Sequence, residues 1–311
     1  MHNPPMVTCA GVITIDVIAL VSSFPEQEGR MEAENILITG GGPASNAAVV
    51  LAKQGIPVAM AGRVGDDEAG QQAVELLAGY GIDVSGIEID PTISTQTSCI
   101  IVDQSAGTRS IVTTKANPPK GLNRRAQELI AKSQWVHTDH LGYRAVTEIC
   151  STLERPPLVS LDSGNAPIAD LDLSRVHLFI PTVESLKDLV GESDLEAAAQ
   201  KALNLGTHAV VATDGSRGSY GWWDSKGAAY GAAVEAGSTK ADAYSNINVV
   251  STLGAGDVFH GGLVAALMRG EEWRQALMSA NVTAALSCEG RDGRENVPAL
   301  ERLTETLALL D

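Results

Sequence analysis

Short apolar runs rich in β-branched residues recur along the chain and alternate with segments of helical length. The runs span residues 7–15, 58–64, 135–137, 158–161, 178–180 and 210–212. Such runs are typical of strands buried on both faces, and their alternation with helices is typical of a parallel sheet. The pattern predicts an α/β fold with a central, mostly parallel sheet and flanking helices. Asp16 follows the first run, so we expect it at the carboxyl edge of the sheet, where ligands of such folds bind.

Composition and charge exclude two classes of partner. The 311 residues have a formal net charge of −16. Nonspecific binding to nucleic acid or to an anionic membrane depends on basic patches, so the charge argues against both. The N-terminus lacks the features of a secretory signal, the four cysteines are widely scattered, and Asp16 interrupts the best membrane-span candidate, residues 12–21. We therefore expect a cytoplasmic protein with reduced thiols.

Residues 249–262 carry the strongest chemical signal. Two β-branched residues precede a turn containing Gly254 and Gly256, and a small, apolar helix follows. The first amides of a helix have no intrahelical acceptor, so they can bind an oxyanion or a phosphate. Asp257 falls in the first turn, where a carboxylate can act as a general base on an attacking hydroxyl. From these residues alone, a role as a first-turn helix stabiliser fits equally well.

Two motifs together resemble a known family. Residues 254–257 (Gly-Ala-Gly-Asp), followed by Phe259 and Gly261, are similar to the C-terminal signature of the ribokinase-like (PfkB) sugar kinases. Residues 40–48 and 62–67 are similar to its N-terminal signature. The resemblance implies a ribokinase-like three-layer sandwich, with residues 1–311 forming one domain. It also implies that Asp257 is the base and that the amides of Gly254, Ala255 and Gly256 stabilise the transferring phosphoryl group.

A small β-sheet lid is implied by the same resemblance. It would be formed by insertions at about residues 17–40 and 95–116. Residues 97–102 and 108–114 are predicted to form a hairpin, because turn residues separate two strand-like runs. Members of the family often pair their lids, so the analogy includes a homodimer.

The acceptor site is implied to include Asp16, Gly41, Gly42 and Asn46, whose counterparts in the family contact the sugar. Arg30 lies in the polar segment of the lid, where some relatives use a basic side chain for an anionic group on the substrate. The alternatives are a turn role for Asp16 and a solvated arginine at position 30. A dinucleotide-binding fingerprint over residues 40–45 is disfavoured, because the third glycine is missing.

The nucleotide site is implied to include Thr213, Gly215 and Gly218, which resemble the family's Thr-x-Gly-x-x-Gly loop. Glycines allow backbone amides to approach phosphates closely. Asn281 occupies a position where relatives often contact the base. The alternatives are an ordinary β-turn and a surface or capping asparagine.

Three positions depart from the family pattern. Thr182 and Ser185 replace the asparagine and glutamate of the motif that organises Mg²⁺, and Ser251 replaces an acidic residue beside the monovalent-cation loop. Glu184, one position early, is the candidate Mg²⁺ ligand in their place, although a shift of one position rotates a helical side chain by about 100 degrees. Mg²⁺ could instead be held by ATP phosphates and waters. Because Ser251 carries no charge, activation by a monovalent cation is doubtful.

Together with the residues that carry it, the resemblance implies an ATP-dependent kinase that phosphorylates a hydroxyl group of a sugar or sugar-like molecule. A second hypothesis is a sensor that binds sugar or nucleotide and has lost its chemistry, which the three departures motivate. A nucleoside kinase is a third. The sequence does not name the acceptor.

Overall fold

The computed structural model describes residues 6–106, 108–119, 121–164, 168 and 170–310. Within these residues, the strands are β1 (Val7–Ala10), β2 (Thr14–Val21), β3 (Asn35–Gly41), β4 (Val58–Gly65), β5 (Asp83–Asp90), β6 (Gln96–Asp103), β7 (Thr108–Thr113), β8 (Trp135–Asp139), β9 (Leu158–Asp162), β10 (Leu178–Ile180), β11 (Ala209–Thr213), β12 (Ser219–Trp223) and β13 (Gly237–Ala241). The α-helices are α1 (Pro43–Lys53), α2 (Glu68–Gly79), α3 (Arg124–Lys132), α4 (Tyr143–Cys150), α5 (Val183–Val190), α6 (Leu195–Asn204), α7 (Ala255–Met268), α8 (Trp273–Ser287) and α9 (Leu300–Leu307).

A nine-stranded sheet forms the middle layer, in the order β13-β12-β11-β10-β9-β8-β1-β4-β5. Its strands are parallel except at one side, where β12 pairs antiparallel with both β11 and β13. The apolar residues of α1, α2, α7 and α8 pack on one face, and those of α3 to α6 pack on the other. The predicted three-layer α/β architecture is confirmed.

Helices α1 and α7 are in close contact because both present small residues to each other. A Cβ added at Gly261 would lie 2.7 Å from the Cβ of Val50 and 2.8 Å from the carbonyl oxygen of Ala47. Both helices are mostly buried. This contact brings the first turns of α1 and α7 together, which places Asn46 beside Asp257.

The prediction of one strand over residues 7–15 is wrong, because the chain leaves the large sheet at Gly11. A Cβ added there would lie 2.2 Å from Oδ2 of Asp139, so only glycine fits against that carboxylate. The amide of Val12 donates to the same Oδ2 at 2.8 Å. Asp16 consequently lies within β2, in the smaller sheet, and does not end a strand of the large one.

The smaller sheet has four strands in the order β3-β2-β6-β7, and β6 and β7 form the predicted antiparallel hairpin. Its inner face has an apolar cluster of Ile18, Leu20, Ile100 and Val102, which packs with Leu37 and with Leu253. Nη1 of Arg109 on β7 donates to Oγ1 of Thr252 at 3.0 Å. Since Leu253 and Thr252 immediately precede α7, the smaller sheet covers the start of that helix.

No helix within the described residues is both long and apolar enough to span a membrane.

Candidate active site

Helix α7 begins with an open N-terminus. Its N-cap, Gly254, has φ of 73° and provides no side-chain cap. A Cβ added there would lie 2.9 Å from Cα of Gly293, so both the backbone angle and the packing require glycine. Ala255 donates its amide to the carbonyl of Thr252 at 3.3 Å, whereas the amides of Gly254, Gly256 and Asp257 have no acceptor within the described residues. These amides and the helix dipole form a site suited to an anion.

Asp257 lies in the first turn of α7 and is partly buried. Nδ2 of Asn46 donates to its Oδ2 at 2.7 Å. Helix α1, which carries Asn46, also begins after a glycine with positive φ, since Gly42 has φ of 96°. A Cβ added at Gly42 would lie 2.3 Å from the carbonyl oxygen of Val12. Two glycine-led helix starts therefore meet where the acceptor and the base are predicted.

The surroundings of Asp257 raise its pKa to about 7. Burial is the largest cause, and the negative charges of Asp162 and Asp139 add to it. The hydrogen bond from Asn46 and the charge of Arg294 act in the opposite direction. A carboxylate with this pKa can accept a proton near neutral pH and release it again, as a general base requires.

A cluster of three buried polar side chains, Asp162, His260 and His137, lies near Asp257. Asp162 ends β9, and its Oδ2 is 3.8 Å from Nδ1 of His260 on α7. Burial raises the pKa of Asp162 and lowers the pKa of His260 to about 3, so the histidine is neutral. The ring of His137 contacts that of His260, with the ring centres 5.7 Å apart. Within the described residues, no group of three or more His, Cys, Asp or Glu side chains could hold a metal ion.

Asp16 faces the same cleft from the smaller sheet. Oγ1 of Thr14 donates to its Oδ1 at 3.1 Å, and the side chain of Ser98 on β6 also hydrogen-bonds to it. A Cβ added at Gly41 would lie 2.1 Å from Oδ2 of Asp16, so the carboxylate lies directly over that glycine. Burial raises the pKa of Asp16.

Arg294 joins these residues, and sequence reasoning missed it. It is 2% exposed. Its Nε donates to Oδ1 of Asn46 at 2.7 Å, and its Nη2 donates to Oγ of Ser45 at 2.6 Å and to the carbonyl of Gly41 at 3.1 Å. The only available signal was electrostatic, because an acidic protein that binds anions needs cations placed at its site.

Two predicted residues lie apart from this cluster. Arg30 is exposed on the connection between β2 and β3, at the end of those strands opposite Gly41. Glu184 is exposed in the first turn of α5. That turn is closed by Thr182, whose Oγ1 accepts from the amide of Ser185 at 3.1 Å.

The predicted nucleotide residues converge at the end of the sheet. Gly215 and Gly218 have φ of 55° and 99°, and a Cβ added at Gly218 would lie 2.2 Å from the carbonyl oxygen of Ala241. Nδ2 of Asn281 donates to that same carbonyl at 3.0 Å and to that of Asp242 at 3.2 Å. Thr213 ends β11 and is partly accessible. The structure thus brings Thr213, Gly218 and Asn281 to one region, although the amide nitrogen of Asn281 already binds backbone.

Comparisons with known proteins agree in family and fold. The model of the pfkB family carbohydrate kinases matches residues 4–300. A deoxyribokinase of Salmonella typhi is 24% identical over 306 residues, covering 95% of this chain and 96% of the relative. An ATP-dependent ribose-1-phosphate kinase of Halopiger xanaduensis is 26% identical over 313 residues, covering 97% of this chain and 98% of the relative. The structure of Arabidopsis thaliana ribokinase with ribose and ATP is similar, with a TM-score of 0.83 at 21% identity. The match covers 98% of this chain and 99% of the ribokinase chain.

Proposed function

The chain belongs to the pfkB family of carbohydrate kinases, and from this premise we propose that it transfers the γ-phosphoryl group of ATP to a hydroxyl group of a sugar or sugar-like small molecule. One observation supports the assignment of the chemistry. The carboxylate of Asp257 lies in the first turn of a helix whose amides are open, and it is hydrogen-bonded to Asn46 of the predicted acceptor site at 2.7 Å.

In the proposed reaction, the acceptor hydroxyl is held near Asp16 and Asn46 and transfers its proton to Asp257. The oxygen then bonds to the γ-phosphorus, the bond from that phosphorus to the β,γ-bridging oxygen breaks, and ADP leaves. Catalysis of phosphoryl transfer depends mostly on positioning and on stabilisation of charge. The open amides of α7 supply that stabilisation, and the smaller sheet excludes water from the cleft.

ATP is placed by the glycine turn of residues 213–218 at one end and by the open start of α7 at the other. Mg²⁺ is proposed to arrive with the phosphates of ATP, because Thr182 and Ser185 replace two side chains of the motif that organises Mg²⁺ in the family. Glu184 stays a proposed ligand. If it is one, Glu184→Gln will increase the Mg²⁺ concentration needed for half-maximal activity. An unchanged Mg²⁺ dependence would remove it from the site.

The proposal is tested by a coupled assay of ADP release with a panel of sugars, sugar phosphates and nucleosides. We expect at least one sugar to be phosphorylated. Asp257→Asn should lower kcat by roughly 10² to 10⁴-fold while the thermal shift caused by the acceptor persists, because the amide cannot accept the proton. Full turnover in this variant would contradict the assigned base.

The same panel separates the alternatives. Thermal stabilisation by a sugar with no phosphorylated product would favour a sensor. Turnover of nucleosides alone would favour a nucleoside kinase, an acceptor class that the comparisons do not distinguish from sugars.

We also propose that the protein acts in the cytoplasm. We further propose that it forms a homodimer through the outer face of the smaller sheet. Register places Ile38, Val17, Cys99 and Val112 in one row across all four strands of that sheet. Ile38 and Val112 are 55% and 74% exposed, and Ile36, in the next row, is 64% exposed. A contiguous apolar row on an exposed sheet face is typical of an interaction surface.

Sedimentation tests the dimer. Ile38→Glu should yield a monomer, whereas Ile89→Glu, at an apolar position 58% exposed on β5, should leave the mass unchanged. A monomeric unmodified protein at micromolar concentration would refute the dimer.

A further inference from the structure

Asn46 forms hydrogen bonds in two directions, and their polarity is fixed. Its Oδ1 accepts from Nε of Arg294, and its Nδ2 donates to Oδ2 of Asp257, both at 2.7 Å. A guanidinium has only donors, so the oxygen of the amide must face it. The NH₂ group must then face the carboxylate. The three side chains form a continuous chain from a buried cation, through an amide, to the predicted base.

We propose that Arg294 is a positioning residue for phosphoryl transfer, which acts through Asn46 to hold the carboxylate of Asp257. This inference rests on the proposed function. Without Arg294, the amide could rotate and present its oxygen to the carboxylate, which would remove the bond that orients the base. Hydrogen bonds with an ionised partner at each end of such a chain are stronger than neutral ones.

The protein fixes Arg294 at both ends. At its backbone, its amide donates to Oδ1 of Asp292 at 2.8 Å, and its carbonyl accepts from Nζ of Lys53 at 2.9 Å. At its side chain, the guanidinium binds Ser45 and Gly41 in addition to Asn46. A support whose own geometry is locked is what a precisely placed carboxylate requires.

Gly40 provides the space that Arg294 occupies. A Cβ added at Gly40 would lie 1.9 Å from Nη1 of Arg294. Because the guanidinium is buried and hydrogen-bonded on its other sides, it could not move aside without losing those bonds. Gly40 and Arg294 are thus matched, although 254 positions separate them in the chain.

Charge around the base explains why a cation is needed at this place. Asp162 and Asp139 face Asp257 from the ends of β9 and β8, and both raise its pKa. Arg294 is the basic group that lowers it, together with the hydrogen bond from Asn46. Tyr80 at the end of α2, Asp16 and Asp292 also interact electrostatically with Arg294, and each raises its pKa. Burial lowers the pKa of Arg294 to about 10, which leaves it charged at neutral pH.

The test is the pH profile of kcat/KM for the acceptor, measured on Arg294→Met. Loss of the cation and release of Asn46 should both raise the pKa of Asp257. The acidic limb of the profile should therefore move up, by less than the shift of about 1 to 3 pH units that an opposite charge in direct contact with a carboxyl causes. Arg294→Met should also lower kcat, because the carboxylate of Asp257 is no longer held in place. Arg294→Lys keeps the charge without the planar fork of donors, so it should return the limb towards its original position without restoring kcat.

Arg291→Gln is the matched control. Arg291 lies on the same loop, but its side chain is exposed and paired with Glu295. It should leave the acidic limb in place. A residue that only supports the fold would lower the melting temperature without moving the limb, so a folded Arg294→Met enzyme with an unmoved limb overturns the inference.

Gly40→Ala keeps the inference testable if Arg294→Met does not fold. It displaces the guanidinium without removing any functional group, and it should move the limb in the same direction by a smaller amount. Its control is Gly79→Ala, where an added Cβ has no neighbour within 4 Å. If Gly40→Ala behaves like Gly79→Ala, the inference fails.

The two proposals fail in different ways. If the unmodified protein phosphorylates no acceptor, the proposed function fails. If it is active and the Arg294 and Gly40 variants keep the original acidic limb, only the positioning role of Arg294 fails.

Discussion

Helices α7 and α5 begin in opposite ways at the carboxyl edge of the large sheet. α5 is capped by Thr182, whose Oγ1 accepts from the amide of Ser185 and donates to Oγ of Ser185 at 2.9 Å. α7 has a glycine with φ of 73° at its N-cap and no side-chain cap. The first arrangement satisfies the helix internally, and the second leaves amides available to a ligand. In these two helices, the residue at the N-cap distinguishes a start that is closed by a side chain from a start that leaves amides free.

The largest expected effect on kcat comes from altering the open N-terminus of α7. Gly254→Ala forces a side chain into the left-handed region and against Cα of Gly293, at 2.9 Å. The start of α7 must shift, and displacements of about 1 Å can cost roughly 100-fold in turnover. We expect kcat to fall by that order in the coupled assay.

Gly191→Ala is the control for this variant. Gly191 also has positive φ, 67°, but an added Cβ there has no neighbour within 4 Å. It should cost about 1 kcal/mol of folding free energy from backbone strain and leave kcat nearly unchanged. Equal losses of kcat in both variants would show that strain alone, and not the open helix start, explains the effect.

An intermediate effect is expected from the charge behind the base. Asp162→Asn removes a negative neighbour of Asp257, so the pKa of Asp257 should fall from about 7. The base would then be ionised at lower pH, and the acidic limb of kcat/KM should move down. This is opposite in sign to the change expected for Arg294→Met. A limb that moves up, or does not move, would contradict the assigned electrostatics.

The smallest expected effect on kcat comes from altering the capped N-terminus of α5. Thr182→Ala removes the cap of α5 and should lower the free energy of unfolding by about 1 kcal/mol, with kcat changed by less than about twofold. Urea denaturation and the coupled assay measure the two quantities. Asp194→Ala is a matched comparison, because Asp194 caps α6 through the amide of Ala197 at 2.9 Å. A large loss of kcat for Thr182→Ala alone would mean that the start of α5 belongs to the active site.

The fold was largely predictable because its signals are local. Buried strands appear as apolar runs, and glycine turns mark where strands lead into helices. The error at residues 7–15 has a physical cause. The run is continuously apolar, and the bend at Gly11 depends on the carboxylate of Asp139, which is 128 residues away in the chain. No local pattern could have indicated that contact.

The sequence alone determined that an open helix start, Gly254 to Asp257, exists and that β6 and β7 form a hairpin, because backbone freedom and hydrophobic periodicity are properties of neighbouring residues. Only the tertiary structure decided the partners of Asp257. Packing of α7 on α1 brings Asn46 to it, and a loop near the C-terminus brings Arg294 to Asn46. Charges interact through space and not along the chain, so the basicity of that carboxylate is set by residues that the sequence does not show to be neighbours.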